Sequence, residues 1–268
     1  MSHDYSWEDV VCTTSVGSRV IFHPTLPTIV YPQARRPRAE WDGLALMEIA
    51  DVISMWEEEE RDEKASKGVN AEMARVQGGI FGLMISGFSL LPELQAGVFP
   101  DPEPRRFCRN AERHQRPIYF IEPSYNDEDW IDFLEKSAKA MSHWKKLLGM
   151  VRPGRRFRKR LKHHLSNVPV PPHYLSDEYA TAYALTSSWW DCKEWLIGEE
   201  LAHRRNKRMA SRIKGAVEQL ARHLGRDDVT LMVPIFAPWL GTIVQEFDTA
   251  NPEEISSSQT DTNDQEEE

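Results

Sequence analysis

The chain has 268 residues, of which 40% are hydrophobic, and its formal net charge is -9. This length and composition exclude a largely disordered chain and allow one large globular domain. Most of the charge lies in residues 251–268, which contain seven acidic residues and no basic one. Because this segment has too few apolar residues to offset the entropy of ordering, we predict a disordered acidic tail.

The cysteines and the N-terminal sequence indicate the compartment. Cys12, Cys108 and Cys192 lie far apart and form no CxxC pair, which argues against a disulfide framework or a structural zinc site. The N-terminal sequence MSHDYSWEDV has neither the basic nor the apolar segment of a signal peptide. Residues 78–91 are the most apolar window but are shorter than the ~20 residues that cross a bilayer. We therefore expect a cytoplasmic protein.

The first half of the chain alternates short apolar runs with polar, Pro-rich or charged ones. Residues 22–40 are rich in Pro and Arg and form a candidate loop insertion. Residues 78–91 are expected to form a buried helix rich in small residues. In chain order, we predict strands at 10–16 and 19–22, a helix at 41–49, a strand at 50–55 and a helix at 70–94.

The second half has longer helical patterns. Residues 149–175 are basic and Pro-rich, and we interpret them as a linker. In chain order, we predict a helix at 105–114, a strand within RPIYFIEPS, a helix at 127–148, a helical stretch from 176 to 224, and a buried strand within TLMVPIF. This order predicts an α/β fold with a mixed, largely parallel sheet flanked by helices, and a helical middle section.

Three local features within and after the linker allow more than one interpretation. The cluster at 152–164 could contact phosphates, but it has one interleaved aromatic, Phe157, and no nucleic-acid-binding motif, so a solvated face paired with acidic residues is favoured. His163 and His164 are adjacent, so on a helix they diverge by ~100° and do not share a metal. Three tryptophans on the following helix are interpreted as core residues rather than pocket walls: Trp189, Trp190 and Trp195.

Four stretches carry a resemblance to a known family. They are ADVISMWEEEER, LQAGVFPDPEPRRFCRNAERHQRPIYFIEPS, RRNKRMASRI and VTLMVPIFAPWLGTI, with a weaker match at VVCTTSVGS. In order and apolar pattern they resemble the TraB/PrgY family, which is similar to the wider group containing the Tiki peptidases. The resemblance spans most of residues 10–243 and implies a single TraB-like α/β domain over residues 1–250.

The polar positions of that family are mostly replaced here. Under the alignment, Ser15 and Trp239 stand in place of family histidines, Trp56 replaces a strand-end Glu, and Glu122 begins the pair that replaces Asp-Arg. Indole cannot replace imidazole at a metal, because its ring nitrogen offers no lone pair. The matching residues are Arg61, Glu103, Arg205 and Met209. The resemblance therefore implies that the metal-dependent hydrolysis of the wider group is lost, and that no cofactor is bound.

The leading hypothesis is a catalytically degenerate protein that binds a peptide, a small anionic ligand or a protein partner. Its predicted ligand-binding residues are Ser15, Trp56, Arg61, Glu103, Arg205 and Trp239, and Glu103 and Glu122 are the candidates for any catalysis. An alternative is a hydrolase whose divalent metal is held by Glu103, His114, Glu122 and His203. A second alternative is an adaptor that docks on a membrane or an assembly through residues 78–91 and 152–164.

Overall fold

A computed structural model describes residues 5–37, 40–77, 79–150 and 153–255. One sheet has the strand order β1-β2-β5-β3-β4; β1 is antiparallel to β2, and the other neighbours are parallel. The predicted α/β fold with a mixed, largely parallel sheet is therefore confirmed. The strands are β1 (Val10–Thr13), β2 (Arg19–Thr25), β3 (Gly43–Leu46), β4 (Ile118–Phe120) and β5 (Thr230–Phe236).

Helices flank this sheet and form a separate layer at one edge of it. In chain order they are α1 (Val52–Ala65), α2 (Val69–Val76), α3 (Gly79–Phe88), α4 (Pro102–Arg113), α5 (Glu128–Met141), α6 (Trp144–Met150), α7 (Pro153–Leu165), α8 (Glu178–Ile197), α9 (Glu199–Leu224) and α10 (Ala237–Thr249). None of the helices in the described part of the chain is long and apolar enough to cross a membrane.

Alternate residues of the strands face two different cores. Leu231, Val233 and Ile235 of β5 pack on one face with residues of α5, α9 and α10. Met232 points to the other face and joins Leu44 and residues of α1 and α4. Because both faces are covered, the central strands are almost continuously apolar, as is usual for buried parallel strands.

A third core lies at the carboxyl ends of the parallel strands. Leu26 and Ile29, which follow β2, and Ala237, which follows β5, pack there with residues of α3, α7 and α8. Helix α8 belongs to two cores, since Tyr183 lies in this helical core and Trp190 lies in the core beside the sheet. The carboxyl edge of the sheet therefore meets a helical layer rather than open solvent.

The prediction of a buried helix rich in small residues is confirmed. In α3, Gly82, Met84, Ile85 and Phe88 are buried. Glycine is used for close packing here, because a Cβ on Gly87 would lie 2.6 Å from Leu185 Cδ2. The apolar window is therefore part of the helical core and is not available to a membrane; Gly78 itself lies outside the described residues.

The prediction of a helix at 41–49 and a strand at 50–55 is wrong. Residues Gly43–Leu46 form β3, and the ADVISM stretch begins α1 instead. A run as short as GLAL carries no periodicity that separates strand from helix. The apolar part of ADVISMWEEEER fits a helix, because Val52 and Trp56 are four residues apart and face the same core. A carboxylate, Glu48, therefore follows the actual strand.

Three other predicted boundaries differ from the structure. The helix at 127–148 is interrupted after Met141, where Ser142 Oγ donates to the Ala138 carbonyl and competes with the helical hydrogen bonds. The linker at 149–175 contains α7, which is held against α8 by its apolar face. The prediction of a disordered tail from residue 251 is wrong for residues 251–255, where Ile255 is buried; residues 256–268 lie outside the described residues.

Candidate functional site

The site is built first from two carboxylates at the carboxyl edge of the sheet. The pairing of β3 and β4 continues past the strands: Ile121 N donates to Leu46 O at 2.8 Å, and Glu122 N donates to Glu48 O at 3.2 Å. Glu48 and Glu122 therefore follow neighbouring parallel strands at matching positions. In open α/β sheets this edge is where ligands and reacting groups usually lie.

Lys193 of α8 faces these carboxylates. Its side chain is exposed to solvent, yet the surrounding protein lowers the pKa of its ammonium. Arg205 adds repulsion, and Glu194, Glu122 and Glu48 oppose the shift. Lys193 is therefore solvent-accessible and lies beside these carboxylates. We call the space around Lys193, Glu48 and Glu122 the carboxyl-edge recess.

The two carboxyl groups are shifted in the opposite sense. Burial and the charge of Glu122 raise the pKa of Glu48 to about 7, while Lys193 lowers it in part. Burial also raises the pKa of Glu122, against attraction from Lys193 and Arg205. Opposite charges this close would normally form ion pairs. None of these three side chains makes a hydrogen bond or ion pair with any residue that the structure describes.

An arginine and two tryptophans form one wall of the recess. Arg205 is buried, and its guanidinium carbon lies 5.2 Å from the Trp190 ring centre and 4.8 Å from that of Trp239. The Lys193 ammonium lies 4.9 Å from the same Trp190 ring. Cations at these distances from an indole are attracted by its negative face. The wall therefore combines indole rings with the cations that lie against them.

The amide of Asn206 fixes this wall in place. Its Oδ1 accepts hydrogen bonds from Arg205 Nε at 3.1 Å, Arg205 Nη2 at 2.7 Å and Trp239 Nε1 at 2.9 Å. Arg205 Nη2 also lies 2.9 Å from Glu194 Oε1. The other terminal nitrogen, Nη1, has no partner among the described residues and is not sealed from solvent. The Nε and Nη2 groups of the guanidinium are thus held by the protein, and Nη1 makes no hydrogen bond to a described residue.

A third carboxyl group lies deeper at the same edge. Asp101 follows the cis Phe99–Pro100 bond, and burial raises the pKa of its carboxyl well above the ordinary value, with Glu48 and Glu103 contributing repulsion. Its Oδ1 is sealed from solvent and makes no hydrogen bond to a described residue. Glu103 is buried as well, but it is neutralised by Arg106 at 2.6 Å.

The structure brings together only part of the predicted site. Glu122, Arg205 and Trp239 surround the carboxyl-edge recess, and Glu103 lies close to its deeper end. Arg61 is exposed on α1, where its Nε donates to Glu57 O. Trp56 is buried between α1 and α4, with the Arg105 guanidinium 5.7 Å from its ring centre.

Ser15 lies at the opposite edge of the sheet. It borders an open cleft of about 1150 Å³ between α9, α10 and the amino ends of β2 and β5. The cations of this cleft are engaged by the protein itself: Lys214 Nζ donates to Ala250 O at 2.8 Å, and Arg226 bonds Asp42 at 2.6 Å. We favour the recess over this cleft as the functional site, because these cations of the cleft are engaged by the protein, whereas Lys193 makes no hydrogen bond or ion pair with a described residue.

The four residues of the metal-dependent alternative are not gathered at one place. Glu103 and His114 stand at opposite ends of α4, about 16 Å apart by helical rise. His203 is exposed on α9 and pairs with Glu246 at 3.0 Å. Within the described residues, no group of three or more His, Cys, Asp or Glu side chains could hold a metal ion.

Sequence reasoning missed two of the three central side chains. Glu48 was placed inside a predicted helix, so its position after a strand was hidden. Lys193 was overlooked because it belongs to a long helical pattern. One signal was present: in SSWWDCKEWLI, Lys193 follows two tryptophans on a helix that is otherwise mostly buried. A lone lysine in such a context is a candidate for a functional group.

Comparisons with known proteins add nothing to this geometry. No protein-family model, no curated protein and no solved structure matches the chain. The functional argument therefore depends on the recess alone.

Proposed function

We propose that the chain binds a small polar ligand in the carboxyl-edge recess, and that the ligand carries both an acidic group and an amine or hydroxyl donor. The observation that carries this proposal is the convergence of Lys193, Glu48 and Glu122 in one recess without protein partners. Unpaired charges surrounded by protein cost stability, so their partner is expected to come from outside the fold.

The charges of the recess support a ligand with two kinds of polar group. Lys193 and the Nη1 group of Arg205 suit a carboxylate or phosphate, since ammonium and guanidinium N–H groups donate to either. Glu48 and Glu122 accept hydrogen bonds from an amine or a hydroxyl. An amino acid or a short peptide carries both kinds of group, so the peptide or small ligand expected from the sequence is compatible with this site.

The aromatic wall supports a ligand with an apolar part. Trp190 and Trp239 are tilted by 35° with their ring centres 5.0 Å apart, and Phe236 contacts Trp190 from the end of β5. Small-molecule sites typically combine such walls with a few convergent polar groups. Because Asn206 fixes the wall, little reorganisation is needed on binding.

Tryptophan fluorescence provides a direct test. Free amino acids and dipeptides would be titrated into the protein, beside the same compounds with an acetylated amine or an amidated carboxyl. We expect a fluorescence change from Trp190 and Trp239 with the free compounds, and weaker binding when either end is blocked. Lys193→Met should weaken binding about tenfold or more, because a charge-assisted hydrogen bond is lost.

Lys207→Met is the matched control, since Lys207 is an exposed lysine of α9 that is not part of the recess. Equal affinities for the Lys193→Met and Lys207→Met proteins would place the ligand elsewhere. The absence of any saturable change across the panel, with phosphate compounds included, would overturn the proposal.

Proton transfer is a second candidate function, and the pKa of Glu48 favours it. A carboxyl with a pKa of about 7 exchanges its proton near neutral pH, as general acids and bases do. Glu48 would exchange a proton with the bound ligand while Lys193 stabilises developing negative charge. Mass spectrometry of each ligand after incubation would detect turnover. Glu48→Gln should abolish turnover while ligand binding persists.

The resemblance to the TraB/PrgY family stays a prediction. It supports ligand binding because three of its aligned positions, Glu122, Arg205 and Trp239, lie around the recess. Under that resemblance the family's metal-dependent reaction is lost and a binding role is kept, so metal-independent binding is expected. Titrations with and without a chelator would separate this from metal-assisted binding.

A further inference from the structure

A row of basic side chains covers the outer face of α7. Arg155, Arg158, Lys159 and Lys162 are exposed, and their spacing of three, four and seven residues places them on one side of the helix. The opposite side packs against the protein through Phe157, which is buried in the helical core. The basic face therefore points away from the rest of the molecule.

These four cations are not used to hold the fold together. The only hydrogen bond that any of their side chains makes to a described residue is from Arg158 Nε to Gly154 O, within the same helix. The sequence favours pairing of this cluster with the acidic run on α1 or with the acidic tail, but Glu60 of that run binds Arg105 and Arg109 instead, and residues 256–268 lie outside the described residues. The net positive field of this face is thus not neutralised by the described part of the chain.

Helix α6 exposes an apolar row. Trp144, Leu147 and Leu148 are 60%, 46% and 62% exposed, and their spacing of three and four residues places them on one side of this helix. The other side faces α8, because Lys146 Nζ donates to Leu196 O at 2.5 Å and a Cβ on Gly149 would lie 2.6 Å from Trp195. The apolar row therefore points outwards.

One side chain links the two helices that carry these rows. The ring of Trp195 lies against Gly149 of α6, and the Arg156 guanidinium carbon is 3.7 Å from its centre, at the start of α7. Trp195 therefore ties α6 to the first turn of α7, and it places the exposed leucines and the exposed cations on adjoining helices. We call these seven side chains the α6–α7 surface; they are Trp144, Leu147, Leu148, Arg155, Arg158, Lys159 and Lys162.

We propose that the α6–α7 surface docks the protein on an anionic membrane. Cations attract the negative charge of acidic lipids, while Trp and Leu enter the boundary between headgroups and acyl chains. Neither element is long enough to span a bilayer, so the contact is peripheral. This differs from the docking expected from the sequence, because residues 78–91 are part of the core and α6 supplies the apolar part instead.

The combination of groups favours lipid over nucleic acid. Binding to a nucleic-acid backbone requires cations, but it has no use for two exposed leucines beside them. A membrane surface uses both parts of the α6–α7 surface, the charges at long range and the apolar side chains on contact. An acidic protein or RNA is therefore the competing occupant that the test must exclude.

Co-sedimentation with vesicles tests the proposal on the full chain. Vesicles of phosphatidylcholine with about 30% phosphatidylserine would be compared with pure phosphatidylcholine, at about 50 mM and about 500 mM salt. We expect binding to the anionic vesicles that weakens at high salt. Each Arg or Lys replaced by Gln should weaken the partition coefficient about fivefold. Leu147→Ser combined with Leu148→Ser should weaken it further.

Matched variants separate this surface from a general effect of charge. The test variant replaces Arg155, Arg158, Lys159 and Lys162 by Gln; the control replaces four other exposed lysines, Lys64, Lys67, Lys139 and Lys207, and has the same net charge. Leu90→Ser controls for the apolar change, since Leu90 is 78% exposed on another part of the chain. Lipids with brominated chains should quench tryptophan fluorescence less in Trp144→Phe than in the unaltered protein.

Several results would overturn the proposal. These are no binding of the unaltered protein to anionic vesicles at low salt, equal binding to neutral vesicles, or equal loss in the test and control variants. Tighter binding to single-stranded RNA than to vesicles, with no effect of the leucine changes, would identify nucleic acid as the occupant. The outcome of this vesicle test does not depend on ligand binding in the carboxyl-edge recess, because the α6–α7 surface and the recess share no side chain.

Discussion

The two edges of the sheet differ in what their charged side chains contact. At the amino edge, Asp42 accepts from Arg226 at 2.6 Å and from the Thr230 backbone N at 2.7 Å. At the carboxyl edge, Glu48 and Lys193 lie close enough to shift each other's pKa, yet neither bonds to a described residue. Asp42 and Arg226 at the amino edge therefore hold strands and loops together, while Glu48 and Lys193 at the carboxyl edge do not.

This difference separates stability from function. Ion pairs and hydrogen bonds that the fold completes by itself need no further partner. Charges that the fold surrounds but leaves unpaired weaken the folded state, and such groups are common where ligands bind or protons move. Substitutions at the amino edge should therefore act mainly on the free energy of unfolding. Those at the carboxyl edge should act mainly on ligand binding and on pH dependence.

Gly215→Ala should have the largest effect on stability at the amino edge. Gly215 lies on α9, and a Cβ there would be 1.6 Å from the Glu253 carbonyl oxygen, so residues 250–255 must move away from the helix. Buried Ile255 and the contacts of Glu253 with Arg208 and Arg212 would be disturbed. We expect the free energy of unfolding in urea to fall by about 3 kcal/mol.

Gly154→Ala is the control for this change, because a Cβ on Gly154 meets nothing within 4 Å. It should leave stability unchanged or raise it slightly, since alanine favours a helix. If Gly215→Ala were as harmless as Gly154→Ala, the close contact between α9 and the following segment would not exist in solution.

Asp42→Ala should have a smaller effect at the same edge, about 2 kcal/mol of destabilisation. The change leaves the backbone N of Thr230 without its partner, and Thr230 is buried, so the loss includes the desolvation of that group. Arg226→Ala removes only the exposed partner and should cost about 0.5 kcal/mol. Equal losses for the two variants would mean that the ion pair, rather than the backbone contact, holds this edge.

The sequence predicted the fold class and most of the strands better than it predicted the recess. Helix α4, strand β4 and strand β5 were predicted because each has a clear local apolar pattern. Prolines or the length of the pattern mark where these elements begin or end. Strand β3 was missed, since GLAL is too short to show a period. That error placed Glu48 inside a helix and moved the expected strand-end carboxylate to Trp56, which the structure buries between α1 and α4.

The gathering of side chains at the recess could be anticipated only in part. Glu122 and Arg205 were selected through the resemblance, and both lie there. Lys193 comes from the far end of a helix of 20 residues, and its position depends on how α8 crosses the sheet edge. That packing angle cannot be read from one sequence, because it depends on side chains from the two cores to which α8 belongs.

Glu48→Gln should change how stability depends on pH. The pKa of Glu48 is raised to about 7 in the folded state, so between its ordinary value near 4.5 and about 7 the folded protein holds more protons than the unfolded chain. Stability from this group is then greatest at low pH and is lost as the pH rises through about 7. Because the side chain is half-buried, we expect the loss to be about 1 kcal/mol.

Urea denaturation at several pH values between 4 and 8 measures this dependence. The Glu48→Gln protein should lack the part of the slope that comes from Glu48, and its stability relative to the unaltered protein should increase with pH. A slope that is the same with and without Glu48 would mean that this carboxyl is solvated rather than held in the recess.

Lys193→Met should give a small change in stability, and its sign distinguishes the two edges. Removal of an unpaired ammonium that the protein surrounds should stabilise the fold by up to about 1 kcal/mol, because the methionine side chain keeps the contact with Trp190. At the amino edge, Lys214→Met should instead destabilise the fold by about 1 kcal/mol, since it removes the hydrogen bond from Nζ to Ala250 O.

Thermal and urea denaturation of both variants would be measured beside ligand titration of the recess. Loss of binding together with a gain in stability is the result expected of a functional lysine. A loss of stability as large as that of Lys214→Met would show that Lys193 holds the fold together. Lys193 would then not be available to bind a ligand in the recess.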